Sequence, residues 1–305
     1  MFFTIKTIAL SEFRSLYRQK TFALLLTVFL GMALFSTYIG WSTQHTIIGV
    51  YEETVKAMAA NGVTEVPANP FLNTPPLAIL KNMVVYVLLI GSLLAIVVGY
   101  SAFMRERRAG MAKIVFSKPI SRNAFICGKM VGVLLVLAAV MTSALIISVL
   151  SASIVSSQVL SWAEIGWLIL FYGISLGHVS IFAMIGLFFA IHARSESLAL
   201  LIPVVIWLLI SFVLPQLTSA LDPTALLNPT SIQAAFPQSH FFKTAQAIIE
   251  PFSISEHYKR IGRTLLENET NGLPVWSSIL MLIAAVAGCF AAMKMLNVCA
   301  EEMNE

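Results

Sequence analysis

Six apolar runs of about 17 to 27 residues constrain this chain more than anything else in it. They cover residues 22–41, 84–104, 130–154, 165–191, 198–214 and 275–296. Roughly 20 apolar residues wound as a helix span the hydrocarbon core of a bilayer. In lipid, a helix satisfies its own backbone polar groups, whereas an open strand cannot. The expected fold class is therefore an all-α integral membrane protein with six transmembrane helices. Composition agrees: 58% of the 305 residues are hydrophobic and 11% charged, against about 45–50% and 25% in soluble domains. A cytosolic enzyme, a nucleic-acid-binding domain and a disordered chain are all excluded.

The spans differ in detail. The fourth is long, at roughly 40 Å of helix, and should tilt, protrude or kink near Gly173 and Gly177. The fifth is short and contains Pro203, which a membrane helix tolerates. Orientation follows from the basic residues. Lys6, Arg14, Arg18 and Lys20 precede the first span, seven Lys or Arg lie between the second and third, and Arg194 and Lys294 fall on the same side. Lys56, Lys81, Lys243, Lys259, Arg260 and Arg263 fall on the other, spread through two long loops. This bias places both termini in the cytoplasm.

Residues 1–20 form a unit of their own. On a helix, Phe2, Ile5, Ala9, Phe13 and Leu16 share one face, and Thr4, Thr7, Ser11, Arg14, Ser15 and Arg18 the other. This is the pattern of an interfacial amphipathic helix. A cleaved signal peptide fits less well, because the apolar run is too long and no small-x-small cleavage site stands out. The remainder, 21–305, is one transmembrane domain with external loops 42–81 and 215–274 and a cytoplasmic loop 105–129. Within 215–274, residues 240–249 and 255–268 have helical patterning divided by Pro251, so a small helical external cap is expected. Cys127, Cys289 and Cys299 all avoid the external loops, so no disulfide framework holds that face. Asn268-Glu269-Thr270 matches the glycosylation pattern, a three-residue match common by chance.

Three patterns suggest chemistry. Gly173-Ile174-Ser175-Leu176-Gly177 matches a G-x-S-x-G nucleophile elbow, with His178 beside it. That motif needs a strand-turn-helix setting, and here it lies inside a span; close helix packing explains the small residues more simply. An intramembrane serine hydrolase using Ser175 and His178 is the alternative reading. His178 is the only clearly mid-membrane ionisable residue, and the lack of intramembrane acids or bases argues against proton or sodium coupling. His240, His257 and the 13 methionines could suggest copper. No His-x-His or external Met-x-x-Met occurs, so no metal site is expected. A P-loop is absent: Gly128-Lys129 is followed by Met130, whereas phosphate and magnesium binding needs a Ser or Thr there.

The most distinctive stretch is the cationic loop between the second and third spans. It contains Arg105-Glu106-Arg107-Arg108, Gly110, Lys118-Pro119-Ile120-Ser121-Arg122, Phe125 and Gly128-Lys129. Basic residues could serve only to set topology. The turn at Gly110 and the Pro-Ile-Ser-Arg break suggest in addition a short helix parallel to the membrane, projecting toward a cytoplasmic partner. In this order and place, the stretch resembles the permease subunits of ABC type-2 transporters. It is most similar to the branch that includes permeases of copper-enzyme maturation and gliding-motility systems. The resemblance extends to the amphipathic first helix, to Arg194-Ser195-Glu196-Ser197 and to Leu227-Asn228-Pro229-Thr230.

The resemblance implies a dimer, with a second permease copy or a paralogue, above two separate cytoplasmic ATPase subunits that hold the ATP and magnesium. The loop around Arg105 to Lys129 would sit in a cleft of the ATPase, with Arg194, Ser195 and Glu196 as a second contact. This chain itself would carry no catalytic residue and no cofactor, would export rather than import, would sit in the cytoplasmic (inner) membrane, and would contact lipid and no nucleic acid. A non-transporting scaffold for an extracytoplasmic accessory protein is a further alternative.

Overall fold

The computed structural model describes residues 2–18, 20–61, 75–108, 121–156, 159–214, 244, 247–267 and 275–295. Among these there is no strand, and six helical runs are long and apolar enough to cross a membrane. The first helix, α1 (Phe2–Arg18), leads into α2 (Lys20–Ala60). The second run begins with a 3-10 turn at Pro76–Leu80, passes through α3 (Asn82–Tyr86) and a π turn at Val87–Gly91, and ends as α4 (Ser92–Arg108). Then come α5 (Arg122–Ser156), α6 (Trp162–His192) and α7 (Glu196–Leu208), the last closing in a second π turn at Leu209–Val213. A 3-10 turn at Glu250–Phe252 precedes α8 (Ile254–Glu267), and α9 (Val275–Met295) is the sixth run.

α2 continues about 19 residues beyond Trp41, where the first apolar run ends. At 1.5 Å per residue this adds roughly 28 Å of helix beyond that point. The stretch 42–60 contains no proline and one glycine, so the chain meets no strong breaker until Asn61. α6 runs unbroken through Gly173 and Gly177. A capping box starts it: the Ser161 side chain accepts from Glu164 N–H at 3.3 Å, and the Ser161 N–H donates to Glu164 Oε2 at 2.6 Å.

α6 is the hub, packing against α4, α5, α7, α8 and α9. Its buried residues, including Leu168, Phe171, Ser175, Val179, Phe182 and Gly186, recur at helical spacing. Two glycines permit close approach. A Cβ on Gly99 would lie 1.9 Å from the Ala183 carbonyl oxygen, and one on Gly186 would lie 2.4 Å from that of Ile96. Nothing lies within 4 Å of a Cβ built on Gly173 or Gly177. Close helix packing, expected there from spacing, is therefore found at other glycines. Gly173 and Gly177 border an open apolar groove of about 760 Å³ against α9. Hydroxyl pairs tie spans together away from water, with Thr37 to Ser151 at 2.9 Å and Ser148 to Tyr172 at 2.6 Å.

At one end of the bundle, α8 plugs the space between spans. Its buried face carries Ser255, His257, Tyr258, Ile261, Gly262, Leu265 and Leu266. Ser255 donates to the Ile210 carbonyl in the π turn after α7 at 2.9 Å, and Lys81 approaches Glu267 at 3.9 Å. Of the expected cap, α8 and the turn at Pro251 are described, whereas residues 215–243, 245–246 and 268–274, with the Asn268 sequon, lie outside the described residues. α1, the end of α4, the start of α5 and the α6–α7 turn gather at the opposite end, called here the N-terminal side.

Candidate functional site

The N-terminal side is organised around a buried acid. Glu12 is the only Asp or Glu in the first 51 residues, and it is 3% exposed on the inner face of α1. Its carboxylate pairs with Arg105 at the end of α4 and, at 2.5 Å, with Lys129 in the second turn of α5. Lys129 also pairs with Glu106 and donates to the Ala102 carbonyl at 3.0 Å, with the Phe125 ring 5.6 Å away. Arg105 further donates to the Ser15 hydroxyl at 2.5 Å and the Ser101 carbonyl at 3.1 Å. Two acids and two bases thus neutralise one another, as burial of charge requires. Within this cluster, among the described residues, Glu106 Oε2 is the one buried polar atom left without a partner.

Two glycines bring α1 close enough for this cluster. A Cβ on Gly128 would lie 2.7 Å from Ile8 Cβ, and one on Gly132 would lie 2.6 Å from Glu12 Cβ. The small-x-x-x-small spacing makes a groove on α5 into which α1 fits. The apolar face of α1 is therefore spent on α5 and the core, where Leu16 and Ala9 are buried.

Arg107 makes the second link. It donates to the carbonyls of Ala193 at 2.7 Å and Arg194 at 3.2 Å. The end of α4 is thereby fastened to the α6–α7 turn, where Ser195 caps α7 by accepting from Leu198 N–H at 3.3 Å. Glu196 follows in the first turn of α7, where an acid favours the helix dipole. At the start of α5, Ser121 accepts from Ala124 N–H at 3.4 Å. The structure thus brings together Arg105, Glu106, Arg107, Arg194 and Ser195, two stretches separated by more than 80 residues. The side chains of Arg108 and Arg122, and residues Gly110, Lys118, Pro119 and Ile120, lie outside what is described.

Glu12, Gly132 and the pairing role of Lys129 went unassigned in the sequence. The available signals were a lone acid on a basic amphipathic helix and the Gly128-x-x-x-Gly132 spacing.

Ser175 and His178 form no catalytic pair. The Ser175 hydroxyl bonds the Tyr258 hydroxyl on α8 at 2.8 Å, and neither ring nitrogen of His178 has a hydrogen-bond partner. The His178 ring instead stacks on Tyr258 with centroids 4.4 Å apart and planes 16° from parallel. A general base must reach the proton it removes, and this histidine packs rather than reaches. Burial pushes the Tyr258 phenol well above its ordinary pKa, with the Ser175 hydrogen bond opposing part of the rise. His257 is committed on both sides, Nδ1 to Ser278 and Nε2 to the Pro251 carbonyl, each at 2.9 Å. Among the described residues, no three His, Cys, Asp or Glu side chains converge as metal donors.

A search of curated proteins returns no match. The family model for ABC-2 family transporter proteins matches residues 6–295, nearly the whole chain, taking in α1 from Lys6 onward, both halves of the N-terminal-side cluster and all six helices long and apolar enough to cross a membrane. The chain belongs to the ABC-2 family of transporter proteins.

Proposed function

We propose that this chain is the membrane subunit of an ATP-binding-cassette exporter that works as a dimer, with a second copy or a paralogue, above separate cytoplasmic ATPase subunits. Both termini and the N-terminal-side cluster would then face the cytoplasm of an inner membrane, in keeping with the bias of Lys and Arg. ATP and magnesium would be held by the partner, since this chain lacks the P-loop pattern. Placement beside the copper-enzyme-maturation and gliding-motility permeases is part of the same reading and rests on the order of residues from Arg105 to Lys129.

The observation that carries this reading is the pair of Arg107 hydrogen bonds to the Ala193 and Arg194 carbonyls. They join the two segments that the family resemblance marks as ATPase contacts into one surface. An ATPase pressing on either would load both. The ionic cluster around Glu12 fixes the ends of α4 and α5, which flank residues 109–120, to α1. ATP-driven closure of the ATPases would thus rock packed helices rather than bend a loop.

The test is ATPase stimulation. The tagged chain should copurify with a P-loop ATPase and raise its turnover, and Glu106→Ala or Arg122→Ala should reduce that stimulation while leaving the chain in the membrane. Full stimulation in both variants would overturn the assignment of these residues. A monodisperse chain that never recovers an ATPase would overturn the exporter reading itself.

A further inference from the structure

The inward face of α1 is accounted for by α5 and the ionic cluster, but its outward face is not. Phe3, Lys6, Leu10, Arg14 and Tyr17 recur every three or four residues along it, a single stripe in which apolar and cationic side chains alternate. Phe3 is 80%, Leu10 41% and Tyr17 59% exposed, and Lys6, Arg14 and Arg18 are exposed as well. Five of these six residues, all but Tyr17, border one open patch on the surface of α1. Among the described residues no acid pairs with these cations, since Glu12 is turned inward and paired with Arg105 and Lys129.

The depth of the stripe decides what can cover it. α1 lies against Gly128 and Gly132 near the start of α5, the one just before and the other just inside the apolar run 130–154. The helix therefore sits beside the first turns of a span, where hydrocarbon gives way to headgroups. Apolar side chains flanked by Lys and Arg suit that boundary, and tyrosine is at home there.

We propose that this outward stripe binds the headgroups of anionic phospholipids in the leaflet on the N-terminal side. Lys6, Arg14 and Arg18 take the phosphates, and Phe3, Leu10 and Tyr17 enter between the roots of the acyl chains. The site needs a lipid but no ATPase, so it stands or falls apart from the exporter reading.

The experiment titrates the full chain, in mild detergent, with fluorescent phosphatidylglycerol and fluorescent phosphatidylcholine. At about fivefold per cation, three cations give the anionic lipid an advantage of up to about a hundredfold at low salt. That advantage shrinks as ionic strength rises. Lys6→Gln with Arg14→Gln and Arg18→Gln should bring the two lipids level, and Lys56→Gln, far from α1, should change nothing. If the triple variant does not elute as the parent does, Lys6→Gln and Arg14→Gln singly should each remove about fivefold. Equal affinity for the two lipids in the parent would overturn the proposal, as would a preference that survives the substitutions. Displacement by inorganic phosphate as effective as by unlabelled phosphatidylglycerol would overturn the membrane as the source of the ligand.

Discussion

Replacing Lys129 with methionine tests the ionic cluster most severely. The substitution keeps the length and apolar body of the side chain and removes one charge. Lys129 is 4% exposed and serves both Glu12, 3% exposed, and Glu106, 21% exposed. Breaking a buried pair by removing one partner costs about 3–5 kcal/mol, because the other charge stays buried and uncompensated. Arg105 still reaches Glu12, and Glu106 can turn toward water, so the lower end, about 3 kcal/mol, is expected. The loss falls on the docking of α1 rather than on the spans, which pack through apolar contacts elsewhere. Hydrogen exchange of the amides from Ala9 to Leu16 reads it, since local opening sets their protection. About 3 kcal/mol is roughly a 150-fold faster exchange at 1.4 kcal/mol per decade, with the amides of α6 unchanged. Glu12→Gln, which leaves Lys129 paired with Glu106 and the Ala102 carbonyl, should have a smaller effect. Exchange in Lys129→Met within threefold of the parent would refute the reasoning.

The glycines give a paired prediction. Gly186→Ala should strongly reduce the yield of folded protein, since its Cβ would meet backbone 2.4 Å away, whereas Gly177→Ala should be neutral in a detergent thermal melt. At Ser175 and Tyr258, each single change, Ser175→Ala or Tyr258→Phe, should destabilise by about 1–3 kcal/mol by orphaning a buried hydroxyl. The double variant should fall short of the sum in the same melts. A fluorophosphonate probe should not label Ser175, and labelling lost in Ser175→Ala would restore the hydrolase alternative. Arg107→Ala should loosen the α6–α7 turn, seen as faster proteolysis near Arg194.

The six spans were legible because a bilayer demands long apolar runs, and composition alone marks them. The amphipathic faces of α1 were legible for the same kind of reason, helical period against side-chain polarity. What α1 packs against was not. Gly128-x-x-x-Gly132 and Gly173-x-x-x-Gly177 share the same spacing, yet only the first pair meets a neighbouring helix. Local spacing states that close approach is possible, and the partner is set by the rest of the fold. The same limit hid Tyr258, whose contact with Ser175 spans 83 residues, and Glu12, whose partners are about 90 or more residues away. The helix beyond Trp41 went unread because falling hydropathy marks the end of a membrane run, not the end of a helix.

Photo-crosslinking from the N-terminal side tests the central claim most directly. A crosslinking amino acid is placed singly at Ser121 and at Ser195, both exposed, and at Lys56 as a control, in cells that make the full chain. The account predicts that Ser121 and Ser195 capture the same P-loop ATPase and that Lys56 does not. Failure of both positions to capture any P-loop protein, with the chain correctly inserted in the membrane, would contradict it.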